Sequence, residues 1–312
     1  MSAKNIIKKI PALRSFAKLF YDWRQESSLD KRIKKFLNQE HLPFTEKAPD
    51  KYAVGYEPTI RCNLKCKMCY QGQTRNLRLG ELDTKEVLKI YEKFLPKIKE
   101  IKLVGGEPFM RSDILELISF WDRAGKKIAL QTNCTLLTER AVNELKKYRN
   151  IAAFLISLDG PENIHDRVRG VPGSYKKMIN AVRLIRKNLP QAKISVFGMI
   201  LRDSLKDIYD LIDVCEKEKF GSLNLIFEQV YNDKDIHETK KILKNILNWE
   251  EVDYRLNTQI RNPAFENGFN SEFLKRELAK LRKYGFKKKV FINFVPFNFY
   301  YNLPEYFDEK KP

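Results

Sequence analysis

From Tyr52 onward, short runs of β-branched and aromatic residues alternate with longer stretches whose apolar positions recur every three or four residues. The short runs predict strands over Ala53–Ile60, Ile101–Val104, Lys127–Thr132, Ala153–Leu158, Lys193–Ile200 and Ser222–Phe227. The stretches between them predict helices over Thr84–Phe94, Asp113–Ala124, Glu139–Tyr148, Tyr175–Lys187, Leu205–Lys219 and Ile236–Leu247. Asp83 with Glu86 has the spacing of a capping box, and Thr138 and Ser204 stand where helix caps belong. Beyond about Asn248 the pattern predicts one more helix, Ser271–Lys283, then a strand, Val290–Val295, and an aromatic tail over 296–312.

Strand–helix alternation requires right-handed crossovers and a parallel sheet. Six β/α units within 51–248 are too few to close an eight-unit barrel. The expectation is an α/β chain built on a partial (β/α)6 TIM-like barrel, or a doubly wound sheet. Both gather chemistry at the C-terminal ends of the strands. Residues 1–50 would form a basic helical extension, and 249–312 a C-terminal extension of helix and strand.

The first 49 residues carry eleven Lys or Arg against five acidic residues. Ile6, Ile7, Ile10, Leu13, Phe16, Leu19, Phe20 and Trp23 follow helical spacing, interrupted by Pro11. One reading is an amphipathic helix over residues 1–24 lying on a membrane surface; the other is a helix packed on the domain that follows. The longest apolar run of interest, Ile151–Leu158, has eight residues, too short to span a bilayer. No secretory signal is recognisable, so a cytoplasmic location is expected. The net charge of +19 suggests an acidic partner, although a Lys-rich solvated surface has the same composition.

Five cysteines, three of them at Cys62, Cys66 and Cys69, argue against a disulfide framework. The C-x3-C-x2-C spacing lies in the loop after the first strand. Clustered thiolates there suit metal or iron–sulfur ligation. A zinc site normally needs a fourth ligand, and His41, His165 and His237 are all remote in sequence. Zinc completed by a distant residue and three buried free thiols remain the alternatives. After the second strand comes Gly105-Gly106-Glu107-Pro108, where glycines permit close backbone approach to a ligand. The third strand ends in Gln131-Thr132-Asn133-Cys134. The fourth ends in Ser157-Leu158-Asp159, with Arg169 twelve residues after Ser157, a set suited to a carboxylate and a ribose diol.

Residues Arg61–Tyr70 resemble the cluster motif of the radical S-adenosylmethionine (SAM) enzymes, usually C-x3-C-x-aromatic-C. Met68 stands where the aromatic residue is common, with Tyr70 just after; both are candidates for contact with SAM. The resemblance covers about residues 52–230 and is greatest to the branch of peptide maturases and cofactor-biosynthesis enzymes, whose members often add a SPASM or twitch auxiliary-cluster domain. It implies one [4Fe–4S] cluster on Cys62, Cys66 and Cys69, with SAM on the iron left open. It implies that Gly105, Gly106, Glu107 and Pro108 meet the SAM amino group, that Ser157 and Arg169 hold its carboxylate, and that Asp159 and Asn133 line its cavity. Cys134 departs from the family's Thr-Asn-Gly. No cysteine follows Cys215, so no second cluster is expected; the chain reads as a short form or a truncated frame.

The implied chemistry is reductive cleavage of SAM to a 5′-deoxyadenosyl radical that takes hydrogen from a peptide, protein or cofactor precursor. An acidic electron donor, flavodoxin or ferredoxin, would meet the basic surface. RNA or lipid as the substrate, or a non-catalytic iron–sulfur scaffold, are the competing readings. Glu57, Gln131, Asn133, Glu228 and Gln229 are candidate substrate contacts.

Overall fold

Seven parallel strands form one sheet in sequence order: β1 Tyr52–Tyr56, β2 Ile98–Leu103, β3 Lys127–Thr132, β4 Ile151–Ser157, β5 Lys193–Ile200, β6 Ser222–Phe227 and β7 Phe291–Val295. The computed structural model describes residues 50–66, 68, 69, 71, 80–200, 205–227, 237, 241 and 271–295. The helices among them are α1 Thr84–Glu92, α2 Ile114–Arg123, α3 Glu139–Leu145, α4 Glu162–Arg169, α5 Ser174–Asn188, α6 Asp207–Lys217 and α7 Ser271–Lys287. A sheet with neighbours always consecutive and always parallel curls in one direction. The result is the partial barrel expected from the strand–helix alternation.

The strand expected in a C-terminal extension is the seventh member of this sheet. β7 pairs with β6 from Ser222↔Phe291 to Ile226↔Val295. The expected N-terminal helix, all of the expected helix Ile236–Leu247 except His237 and Lys241, Ser204, Tyr70, Glu228, Gln229 and the aromatic tail lie outside the described residues.

Burial alternates along the strands, which separates the two faces. Ile101 and Leu103, Ile128 and Leu130, Phe154 and Ile156, Leu223 and Leu225, and Ile292 and Phe294 are buried on the helix-covered side. Helix packing on that side is also aromatic: Trp121 of α2 meets Tyr56 and Tyr91 edge-on, with ring centroids 5.8 and 5.6 Å away. Such burial, at about 25 cal/mol per Å² of apolar surface, is what holds the helices to the sheet. The opposite, concave side carries Lys102, Gln131, Ser157, Ser195, Asn224 and Asn293, all half-buried or exposed. Asn293 donates to Asn224, which in turn donates to the Val196 carbonyl, at 3.1 and 3.0 Å.

The expected caps form. The Asp83 carboxylate accepts from the Glu86 N–H while the Glu86 side chain accepts from the Asp83 N–H, both at 2.8 Å. Thr138 accepts from the Ala141 N–H at 3.3 Å. β1, expected to reach Ile60, ends at Tyr56: its last ladder bond is Val104 N–H to the Tyr56 carbonyl. Pro58 lacks the donor a continued ladder would need.

A candidate active site at the strand ends

The chain after β1 runs across the ends of β2, β3 and β4, and its backbone is gripped from two sides. On one side the Gly106 N–H donates to the Thr59 carbonyl at 2.9 Å and the Glu107 N–H to the Arg61 carbonyl at 2.8 Å. A Cβ on Gly106 would lie 2.1 Å from the Arg61 carbonyl oxygen, so only glycine permits this approach. On the other side the Lys65 N–H donates to the Arg169 carbonyl at 2.9 Å, at the end of α4. Gly170 closes α4 with φ +69°, and a Cβ there would meet the Lys65 carbonyl at 2.5 Å. The glycines expected to admit a ligand thus admit the cysteine loop itself.

Side chains complete the grip. Gln71 is fully buried; with its amide in the orientation that satisfies both groups, it donates to the Ile60 carbonyl and accepts from the Gly106 N–H. Arg111, 5% exposed, donates to the carbonyls of Pro58 and Leu82 and forms a two-pronged pair with Asp113 at 2.6 and 2.8 Å. Arg111 holds the Asp113 carboxyl at about 2, against its partial desolvation. Arg61 pairs with Glu81 at 3.1 Å, and Thr59 hydrogen-bonds the same carboxylate. Residues Thr59, Gln71, Glu81 and Arg111 were not singled out from sequence. They lie between motifs, and only the fold brings them together.

Glu107, expected at the SAM amino group, is fully buried with its carboxylate spent on protein donors. It accepts from Thr132 Oγ1 at 2.7 Å, the Asn133 N–H at 2.8 Å and the Phe109 N–H at 3.3 Å. Burial pushes its pKa up to about 7, with those donors pulling the other way. Its visible work is to fix the turn after β3. Asn133 then donates to Asn63 Oδ1 at 3.0 Å and faces Cys62 Sγ at 3.9 Å, while its own oxygen accepts from Thr135. Cys134 follows with φ +62°, the left-handed conformation that glycine adopts without cost, and its thiol is buried. Pro108 is buried at the start of a short 3-10 turn, Pro108–Met110.

At the end of β4 a second polar group is anchored. Asp159 Oδ2 accepts from Arg169 Nε at 2.6 Å, and Asp159 Oδ1 from the Met199 N–H at 3.3 Å. The Asp159 N–H donates to His165 Nδ1 at 3.4 Å. Burial and the facing Arg169 lower the His165 pKa to about 4, with Asp159 and Asp166 opposing, so its imidazole is neutral and accepts. Asp166 meanwhile caps α5, accepting from the Tyr175 N–H and Ser174 Oγ at 2.8 and 2.7 Å. Braced in this way, Arg169 lays Nη1 3.7 Å from Cys66 Sγ. Burial opposes its charge, but Asp159 and Cys66 outweigh that and hold its pKa above the ordinary value.

The three cysteines are half-buried free thiols, and the Cys69 N–H donates to the Cys66 carbonyl at 3.3 Å. Burial pushes the Cys62 thiol up to about 11, the reverse of what a bound metal would do. Among the described residues, no three His, Cys, Asp or Glu converge as one metal ion would require. Thiolates on an iron–sulfur cube each meet a different iron and need no such convergence. Soft ligands with N–H donors directed at two of their sulfurs fit such a cluster. Ser157, at the end of β4, and Met68, next to Cys69 in sequence, are half-buried; Gln131, on the concave side of β3, and Glu57 are exposed.

Two outcomes are expected. Gly106→Ala should retain the fold, seen by circular dichroism, but lose most of the iron that the wild type takes up on anaerobic reconstitution. Gly80→Ala, where nothing lies within 4 Å, should lose none; equal loading of the two variants would contradict the clamp. The folded pKa of Glu107 lies above its unfolded value of 4.5, so folding takes up a proton between 4.5 and about 7. Its contribution to stability therefore falls as pH rises through that window. Denaturant titrations should show wild type losing ground to Glu107→Gln from about pH 5 to 7; a pH-independent difference would contradict the assignment.

Three comparisons bear on this geometry. An AdoMet-dependent heme synthase of Oleidesulfovibrio alaskensis is 30% identical over 166 residues, 52% of this chain and 42% of that protein. The antilisterial bacteriocin subtilosin biosynthesis protein AlbA of Bacillus subtilis is 27% identical over 166 residues, 52% of this chain and 35% of that one. The chain thus spans less than half the length of these curated relatives. In fold, it superposes on Streptococcus suis SuiB bound to S-adenosylmethionine with a TM-score of 0.57 at 17% identity, covering 88% of this chain and 55% of that one. The profile of the Radical SAM superfamily matches residues 56–215, half of the chain, and the chain therefore belongs to the radical SAM superfamily.

Proposed function

We propose that the chain is an enzyme of radical chemistry, which opens SAM and uses the product to take a hydrogen atom from a peptide, protein or cofactor precursor. The observation that carries this reading is the placement of Arg169, a cation braced by Asp159 and laid 3.7 Å from a cluster cysteine. A SAM carboxylate arriving at the open iron would meet that guanidinium. Cys62, Cys66 and Cys69 would hold one [4Fe–4S] cluster. When bound and reduced, the cluster supplies the electron that splits the sulfonium of SAM into methionine and a 5′-deoxyadenosyl radical.

The chain's own residues do the rest by position. Arg169 binds the carboxylate, with Ser157 beside it at the end of β4. The backbone of Gly105–Pro108 faces the amino group, while the Glu107 side chain keeps the Asn133 turn in register with it. Asn133 and Arg169 direct N–H groups at Cys62 and Cys66, where hydrogen bonds to sulfur shift the potential of such a cluster. Met68 and Tyr70 are the candidates for contact with the nucleoside. The concave face below receives the substrate, and holding one C–H bond near the nucleotide is the positioning that the rate depends on. The heme synthase and the subtilosin biosynthesis protein, by their names, support a cofactor precursor or a peptide as the substrate.

Reconstituted protein, given SAM and dithionite without oxygen, is expected to release 5′-deoxyadenosine, and Cys66→Ala to release none. An intact cluster that yields no 5′-deoxyadenosine would favour the scaffold reading. The surplus of +19 suits an acidic donor such as flavodoxin or ferredoxin. Reduction by flavodoxin should slow as salt rises; a rate indifferent to salt would remove that partner.

A further inference from the structure

One half-buried cation on the concave face forms no ion pair among the described residues. Lys102 is half-buried in β2, and among the described residues no carboxylate forms an ion pair with it. Burial pulls its pKa down, with Glu100, two residues earlier on the same face, pulling back. An ammonium held part-way out of water without a hydrogen-bonded partner is costly, and an incoming anion relieves the cost.

Small residues flank Lys102 on both neighbouring strands. In the sheet register, Lys102 stands between Gly55 of β1 and Ala129 of β3. Ala153 of β4 and Lys193 of β5 continue the row. A Cβ placed on Gly55 would meet nothing within 4 Å, so the space beside Lys102 is open. Lys102 is also close to the chemistry. It precedes Val104 by two residues, about 7 Å along a strand, and Gly105 and Gly106 follow directly. Its side chain therefore lies below the proposed SAM site, on the face that a substrate would enter.

We infer that Lys102 anchors the substrate through a carboxylate, so that the substrate of this chain is an anionic molecule whose acid group enters beside Gly55 and Ala129. This assignment of a specificity residue rests on the proposed function for its meaning. A carboxylate on a tetrapyrrole and one on a peptide side chain offer the same chemistry, and the test separates them.

The full-length chain, purified without air, is titrated with two matched pairs of probes. The first pair is coproporphyrin III, a porphyrin tetracarboxylate, and its tetramethyl ester. The second is a glutamate-rich peptide and its glutamine counterpart. In one pair the acid should bind more tightly than its neutral form by about tenfold or more. Lys102→Met should erase that preference, and Lys102→Arg should keep most of it. Gly55→Leu, which enters open space and leaves the fold intact, should block binding. The pair that responds names the source of the carboxylate. Equal or absent binding of acid and neutral forms in both pairs would overturn the inference, as would a preference that survives in Lys102→Met. These titrations involve no SAM cleavage, so a failure to form 5′-deoxyadenosine would count against the proposed function and leave this result standing.

Discussion

The site depends on a loop that has almost no secondary structure of its own being held as firmly as a strand. Residues 59–66 gain that rigidity from backbone hydrogen bonds to two neighbours, Gly106–Glu107 on one flank and Arg169 on the other. Both contacts need glycine, because a Cβ at Gly106 or Gly170 would occupy the volume of a loop carbonyl. The placement of Cys62 and Cys66 follows from that constraint, and the Cys69 N–H is tied back to the Cys66 carbonyl. The same constraint places Arg169, whose backbone grips the loop while its side chain faces one of the thiols. One residue thus couples the placement of the loop to the electrostatics around it.

Buried charge near the loop is spent on geometry. Glu107 collects three donors and fixes the Asn133 turn. Asp159 collects Arg169 and the Met199 N–H, and so ties the end of β4 to β5. Removing one partner of such a buried pair typically costs about 3–5 kcal/mol, because the other is left uncompensated. Arg111 and Asp113 act in the same way beneath Pro58 and Leu82. The concave face differs: among the described residues, half-buried Lys102 has no ion pair with a carboxylate.

Much of this is legible in the sequence, since hydrophobic periodicity reports which face of a strand is covered. The strands Lys127–Thr132, Lys193–Ile200 and Ser222–Phe227 have the bounds expected from their pattern. What was not legible has physical reasons. β1 stops four residues early, because Pro58 cannot donate and its carbonyl is taken by Arg111. α4 has only eight residues, is opened by Pro161, and buries just Ile164, His165 and Val168, a pattern too short to stand out in the sequence, yet it delivers Arg169. β7 is separated from β6 by a long stretch, and no sequence rule pairs two such distant runs. Cys134, without a role in the motif, reads as a left-handed turn residue once its φ is known. The motif names Glu107 without saying how its side chain is spent, and the three donors on its carboxylate are visible only in the fold.

The most direct test is electron paramagnetic resonance of the anaerobically reconstituted, reduced chain with and without SAM. Three thiolates that leave one iron open predict a reduced [4Fe–4S] signal whose g-values move when SAM is added, from about four irons per chain. A colourless protein, a chain that retains zinc in place of iron and sulfide, or a cluster signal indifferent to SAM would contradict the account.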